Sequence, residues 1–567
     1  MAKGYRPVNR DQPFLLPPCM RDWLPPDHPV WLVIRVVEQH LDTSAFGAAR
    51  RTGGAGAAGY DPDMLVTLLV WGYAHGVTSS RRMEQLCGTD VAFRVICGGN
   101  LPDHATIARF RAAFAGTAAG LFAEVLALCA RLGMGKLGVV ALDGTKIAAS
   151  ASKSANRGED RLRKMAGDAV AAHAAADAAE DAMFGEAAGD EVPGDAWSPR
   201  WRDGRIAAAL AGLEAERAER EAEAARRQAA AGQDLADAAA GRPRRGRPAA
   251  GTEVAAADLA ARRIRAARQA RSDDWAARDA AARAAGGRGL DRRTRPVPPG
   301  EHAGVRAAEA RAGRARARAA AEKDKNREEP APVRNVTDPD SRLMPVRGGG
   351  FIQGYNAQNA VSQDGLILAT ELTADQNDAP WFEPMLRQAE DAARLIAARQ
   401  PPLPRGAGPG PPGGREHLIG LFLADAGYLS EDNLACSGPD RLIATGKRRD
   451  LEKTARQAAE AGRGQDLPAG GSEAIAAMAE RLRTQDGITA CRQRGHIAET
   501  PHGHIKHNMG FRQLSLRGKS RAAAEWAFAC AVQNLFKAIT SGHLTTATLN
   551  ALARPAGHPP SPLPAPA

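Results

Sequence analysis

Apolar residues recur along this chain in two rhythms, and the change between them divides it. From residue 1 to about 133 the spacing is helical. Asp27 precedes Trp31-Leu32-Val33-Ile34-Arg35-Val36-Val37 and Asp63 precedes Met64-Leu65-Val66-Thr67-Leu68-Leu69-Val70-Trp71, so each acid is placed to cap a helix. Short helices around Arg81–Cys87 and Val91–Ile96 come next, followed by Asp103-His104-Ala105-Thr106-Ile107-Ala108-Arg109-Phe110-Arg111. In that last segment Ile107 and Phe110 can face a core while Thr106, Arg109 and Arg111 stay available.

After residue 133 the apolar stretches become short and unbroken, as in strands buried on both faces. Val139-Val140-Ala141-Leu142 runs into Asp143-Gly144, and Leu421-Phe422-Leu423-Ala424 runs into Asp425-Ala426-Gly427. Between them, Gly348–Val361 reads as a strand, Asp364-Gly365 as a hairpin turn and Leu366–Leu372 as the returning strand. A helix is expected from about Ala379 to Ala398, then a Pro/Gly stretch from Pro401 to Gly414, and a fifth strand at Leu442-Ile443-Ala444-Thr445. Residues 450–490 look helical, and an amphipathic helix over Ala522–Ile539 closes the pattern.

Residues 156–332 interrupt this order. Ile206, Leu210 and Leu213 begin a helical rhythm that dissolves into Ala, Arg, Glu and Asp. Helix propensity is high but the apolar stripe is thin, so one or two helical hairpins, partly disordered, are expected there. Arg242-Pro243-Arg244-Arg245-Gly246-Arg247-Pro248 within it suits either a narrow minor groove or a basic link between helices.

The expected organisation is therefore a helical segment over 1–133, an α/β domain over 134–155 plus 333–545, an insertion over 156–332, and a disordered Pro/Gly-rich tail over 546–567. Three strands, a helix, a strand, a helix, a strand and closing helices make the layout of a ribonuclease-H-like mixed sheet. A long insertion after the first strand is tolerable because loop closure costs rise slowly with length.

Charge sharpens the picture only beside the acids. Across 567 residues, 76 Lys and Arg against 65 Asp and Glu leave a formal net charge of +11. That balance fits a phosphate-bearing partner, or simply an Arg- and Ala-rich composition. Seven scattered cysteines include no C-x-x-C pair, which argues against a disulfide framework or a cysteine zinc site and for reduced thiols. The N-terminus lacks a signal-peptide core, no apolar run reaches membrane-spanning length, and an intracellular, cytoplasmic protein without membrane partners is expected. The absence of a P-loop and of G-x-S-x-G gives a nucleotide cofactor and serine-hydrolase chemistry no support.

An acid at the end of a buried strand opens onto the crevice where α/β sheets place their chemistry, though Asp143 or Asp425 alone could be a turn former. The third stretch is Glu499-Thr500-Pro501-His502-Gly503-His504-Ile505-Lys506. Seven residues is nearly two helical turns, so Glu499 and Lys506 can share a face, one to ligate a metal and the other to reach a phosphate. Pro501 favours a first turn, which would leave Glu499 at a helix cap. His496, His502, His504 and His507 lack zinc-motif spacing and are expected beside DNA or in solvent. The Arg-bearing helix ending at Arg111 is compatible with helix-turn-helix DNA contact or with an ordinary bundle helix.

Taken in order, these stretches resemble bacterial insertion-sequence transposases of the DDE class. The markers are Phe14-Leu15-Leu16-Pro17 with Asp22-Trp23-Leu24-Pro25, Pro102-Asp103-His104-Ala105-Thr106-Ile107, Asp143-Gly144-Thr145-Lys146, and Thr337-Asp338-Pro339-Asp340-Ser341-Arg342. They continue with Gly354-Tyr355-Asn356-Ala357-Gln358, Asp425-Ala426-Gly427-Tyr428, the Glu499–Lys506 stretch, Gly510-Phe511-Arg512 and Leu516-Arg517-Gly518. The resemblance implies a catalytic, metal-binding triad of Asp143, Asp425 and Glu499, with Lys506 as its basic partner. Lys146, Arg109, Arg111, Arg512 and Arg517 are the further expected DNA contacts. Two departures stand out: Gly495 occupies the position four before the glutamate where relatives often carry Arg, with Arg494 and Arg492 nearby, and His502 replaces a frequent Phe.

The implied activity is cleavage at the element's own inverted repeats and strand transfer into target DNA. Two Mg²⁺ ions would serve it, with Mn²⁺ able to substitute, since carboxylates are hard oxygen ligands. A homodimer or higher multimer on double-stranded DNA is implied as well. The rival readings are an inactive or co-opted transposase that only binds DNA, and a helical scaffold built on the Ala/Arg block.

Overall fold

A computed structural model of the chain describes residues 19–47, 59–184, 202–240, 252–327, 332–346, 348–401, 417–446 and 473–552. Phe14–Pro17, Arg242–Pro248, almost all of the Pro401–Gly414 stretch, residues 450–472 and the tail from Arg554 lie outside the described residues. The chain divides into two units, residues 1–156 with 335–567, and residues 157–334.

The first unit opens with helices α1 (Pro29–His40), α2 (Ser44–Gly47), α3 (Pro62–Ala74), α4 (Ser80–Thr89), α5 (Val91–Ile96), α6 (His104–Ala112) and α7 (Ala118–Arg131). Two helices are capped one or two residues away from the acids expected to cap them. His28, rather than Asp27, caps α1 by accepting from Val30 N, and Asp61 caps α3 while Asp63 sits in its first turn. Pro29 and Pro62 take the first helical positions, where the missing N–H costs nothing. Asp103 caps α6 as expected.

Residues Leu65 to Tyr73 of α3 are buried without a break, so this helix is enclosed on all sides. Tyr73 OH donates at 2.8 Å to Glu525 Oε1 of the closing helix Lys519–Thr540, and Glu525 also accepts from the backbone N–H groups of Ser515 and Leu516. The N-terminal helices and the sheet thus share one hydrophobic core and one unit. No disulfide joins the seven cysteines; Cys87 and Cys97 face each other with sulfurs 3.5 Å apart.

Strand β1 (Val139–Ala148) leads to the short β2 (Asn156–Gly158), where the chain passes into the second unit. That unit holds α8 (Glu159–Phe184), α9 (Arg202–Ala239), α10 (Glu253–Ala284) and α11 (Ala303–Arg327). Cross-helix ion pairs Arg163–Glu214 and Arg217–Glu159 show α8 and α9 to be antiparallel; Arg265–Glu309 and Arg316–Asp258 do the same for α10 and α11. Their interiors are thin, with Leu162, Ile206, Ala209 and Leu213 buried in one pair and Ala261, Val305 and Ala312 in the other.

After β3 (Val333–Asn335) the chain completes a mixed sheet with β4 (Arg342–Pro345), β5 (Phe351–Ser362), β6 (Ile367–Thr373), β7 (Leu421–Ala424) and β8 (Arg441–Ile443). Strand order is β4-β5-β1-β7-β8, with β6 pairing β5 further along the edge that β4 shares. β5 runs antiparallel to β1, β4 and β6; β7 is parallel to β1, and β8 to β7. The four-residue β4 is an element that the alternation did not announce.

Helix α12 (Phe382–Arg399) buries Phe382, Met385, Leu386, Ala389, Ala393 and Ile396, one apolar stripe at 3–4 residue spacing. The helix Lys519–Thr540 buries Trp526, Phe528, Cys530 and Leu535, and a further helix, Thr546–Ala551, capped by Thr545, follows where a disordered tail was expected to begin. The Thr337–Arg342 marker is structural: buried Asp338 accepts from Tyr355 OH at 2.9 and 3.0 Å and from Gly518 N at 3.1 Å. Among the described residues, no helix is long and apolar enough to cross a membrane.

Candidate active site

β1 does not end at Asp143. It runs on to Ala148 because β5 keeps pairing it as far as Ala148↔Gly354, whereas β7 stops at Ala424. The parallel register Ala141↔Leu423 carries both chains, two residues later, to Asp143 and Asp425 side by side. Buried Val140, Ala141 and Leu142 fix β1 from within. Phe422 fixes β7, meeting Phe382 edge-on with centroids 5.6 Å apart.

The two acids differ in environment. Asp425 caps a short 3-10 turn, Ala426–Tyr428, accepting from Gly427 N at 2.9 Å. Burial pushes its carboxyl up and the charge of Asp143 pushes it further; Arg494 and the Gly427 N–H offset only part of this. Burial also pushes Asp143 up, but His502 and Arg494 outweigh it and hold that carboxyl below the usual carboxylate range. Two such groups with diverging proton affinities are common at functional sites.

The helix Gln485–Gly503 lies over this pair, capped by Thr484, whose hydroxyl accepts from Gly487 N at 3.1 Å. Pro501 is therefore inside a helix near its end, not in a first turn, and Glu499 is not a cap. A π turn, His504–Asn508, follows directly, and such turns re-aim side chains near sites. Arg494 Nη1 is 3.5 Å from Asp143 Oδ1 and its Nη2 is 4.0 Å from Glu499 Oε1. The Glu499 side chain is 55% exposed, so it stands at the rim while the aspartates stand within. Among the described residues, no three acid, histidine or cysteine side chains already converge on one point as a metal cage.

His502 is neither solvated nor at an outer face. It is buried, with Nδ1 3.7 Å from Asp143 Oδ2, its ring 6.4 Å from that of Trp526, and Nε2 buried without a partner among the described residues. His496 and His507 are exposed, and burial pushes the half-buried His504 ring below its ordinary value.

Lys506 reaches back to β1, donating to Thr145 Oγ1 at 2.5 Å and to Lys146 O at 2.8 Å. Burial lowers its proton affinity, against the pull of Asp143. Lys146 donates to Gln376 O at 3.0 Å and sits 3.4 Å from Asp378 Oδ1. Arg109, Arg512 and Arg517 are exposed. Arg512 donates to Lys506 O at 3.1 Å and Arg517 to Ser150 O, just past the end of β1, at 3.0 Å. Arg111 departs from expectation: it turns inward, 8% exposed, donating to Thr78 O and Ser80 Oγ, and is not available to an outside ligand.

Sequence reasoning missed Asp378 and the contacts of Arg494. Asp378 lies in an acid-rich link, Asp375-Gln376-Asn377-Asp378, just before a Pro-started turn, and its only sequence signal was that position ahead of a helix. Arg494 was visible only as a neighbour of Gly495. A side chain at Gly495 would come within 3.7 Å of Glu499 Oε1, while Arg494, one residue earlier, supplies the charge between Glu499 and Asp143.

Two family models match this chain. The Transposase domain (DUF772) covers residues 18–113, and the Transposase DDE domain covers residues 456–539, a span that includes Arg494, Glu499 and Lys506 but neither aspartate. No curated protein and no solved structure matches it. Domains of one class at opposite ends, around an α/β core with paired strand-borne acids, mark a nucleic-acid-cleaving enzyme. Both matches are to transposase domains, and together they support an insertion-sequence transposase of the DDE class.

Proposed function

We propose that the protein cuts DNA at the ends of its own element and joins the liberated ends to target DNA, using Asp143, Asp425 and Glu499. The observation that carries this is the parallel β1–β7 register, which sets two half-buried aspartates side by side beneath a helix bearing Glu499. The strand order and directions support a ribonuclease-H-like core, in which the antiparallel strands, β1 and the two parallel strands follow one another across the sheet.

The residues suit divalent ions. Burial and then the charge of Asp143 raise the proton affinity of Asp425, so the pair brings together hard oxygen donors whose mutual repulsion Arg494 only partly offsets. Asp143 and Asp425 would hold the ions with Glu499, after rotation of its exposed side chain. Bound there, Mg²⁺ or Mn²⁺ would activate water and stabilise charge building on the phosphodiester.

The chain's own groups do the rest. His502 Nδ1 orients Asp143, Arg494 tempers the repulsion among the acids, and Lys506 fixes the Thr145–Lys146 segment beside them. Lys146, Arg109, Arg512 and Arg517 are the proposed contacts to DNA phosphates. Subunits pairing on two DNA ends would complete the active complex.

The test is incubation of the protein with DNA flanking its coding sequence, with and without Mg²⁺. Metal-dependent breaks leaving 3′-hydroxyls at matching inverted repeats would support the proposal. Specific binding without breaks would replace it with a DNA-binding role alone.

A further inference from the structure

Asp425 sits one residue past the last strand position of β7, on a turn, so no ladder ties it to β1. Another structure must hold it against Asp143. On the face of β1 that Gly144 presents, Asp378 Oδ1 accepts from Asn356 Nδ2 at 2.6 Å and Gln358 Nε2 at 2.8 Å. Gln358, opposite Gly144 in the β1–β5 register, uses its other end to accept from Tyr428 OH. Tyr428 ends the turn that Asp425 begins, and both Gln358 and Tyr428 are fully buried.

The carboxylate of Asp378 also packs between two glycines. A Cβ on Gly144 would lie 2.9 Å from Asp378 Oδ1, and one on Gly427 would lie 3.3 Å from Asp378 Oδ2 and 3.0 Å from Asp425 Oδ1. Both acids therefore approach one point beside Gly427, which only glycine leaves open.

We infer that Asp378, Gln358 and Tyr428 form a positioning relay that pins the Asp425 turn to β1 and sets the Asp143–Asp425 spacing for a divalent cation. The inference rests on the metal-dependent reading above. Gln358 lies on β5, paired with β1, and Asp378 accepts from two β5 side chains, so the relay links the register of β1 to the Asp425 turn. Tyr428 acts through its hydroxyl alone. Outer contacts of this kind typically change metal affinity about 10- to 100-fold.

The test is Mn²⁺ binding to the full-length, DNA-free protein by electron paramagnetic resonance, alongside thermal unfolding. Asp378→Asn is expected to weaken binding by about 10-fold or more, and the milder Tyr428→Phe by several-fold. Tyr73→Phe, which removes a buried tyrosine hydroxyl bond that involves none of Asp378, Gln358 and Tyr428, serves as the control and should leave Mn²⁺ affinity unchanged. Wild-type affinity in both relay variants, or losses no larger than in Tyr73→Phe, would overturn the relay alone. A wild-type protein that binds no Mn²⁺ would overturn the metal reading and the relay together.

Discussion

Arg494 stands between Asp143 and Glu499, 3.5 Å from one carboxylate and 4.0 Å from the other. A guanidinium there supplies, in the metal-free protein, positive charge that the acids otherwise lack. Replacing it should cost about 1.5–3 kcal/mol, the scale of a lost hydrogen bond to a charged group. Arg494→Gln is therefore expected to unfold at lower temperature without metal and to regain more of that loss than wild type on adding Mg²⁺. Calorimetry with and without Mg²⁺ checks this, and equal metal-induced shifts in the two proteins would contradict it.

Asp425 predicts a conflict between stability and activity. Its folded carboxyl binds a proton more tightly than an unfolded aspartate, through burial and then Asp143. Folding with the group ionised is thus unfavourable above that raised value, and the cost fades as pH falls through it toward the ordinary aspartate range near about 3.9. Asp425→Asn should raise the melting temperature of the metal-free protein at pH 7, by roughly 1 °C for each kcal/mol relieved in a chain this long, with the gain shrinking as pH falls toward the ordinary aspartate range. Melting curves across that range provide the check.

Helix α6 separates two arginines by role. Arg111 is buried against Thr78 and Ser80, so Arg111→Ala should destabilise the fold by about 1.5–3 kcal/mol. Arg109 is exposed, so Arg109→Ala should leave stability within about 0.5 kcal/mol. If it meets a phosphate, its loss should weaken DNA binding and flatten the salt dependence by about 0.9 in log–log slope. Titrations of labelled DNA at several salt concentrations read the second effect, and urea melts the first.

The strands that carry the aspartates were legible because burial on both faces leaves an unbroken apolar run, and Asp143 and Asp425 each follow such a run directly. The length of β1 was not legible, because its continuation through Gly144, Thr145 and Lys146 depends on pairing with β5, more than two hundred residues later. The Glu499 helix was misjudged in a similar way. Pro501 signals a helix start locally, yet packing of Ile497, Ala498 and Pro501 carries the helix through it. Arg111 and His502 turned inward because partners distant in sequence, the Thr78 carbonyl and Asp143, accept or balance them. Asp378 had no periodic pattern to mark it, since its place is set by Asn356 and Gln358 from another strand.

The central claim is that Asp143, Asp425 and Glu499 act together on DNA through divalent ions. The most direct measurement is cleavage of DNA carrying the element's ends by Asp143→Asn, Asp425→Asn and Glu499→Gln proteins, with DNA binding measured in parallel. Loss of cleavage by at least about 100-fold in all three, beyond the usual range for outer contacts, with binding retained, is the predicted result. Cleavage at the wild-type rate by any one of them would remove that residue from the site and contradict the account.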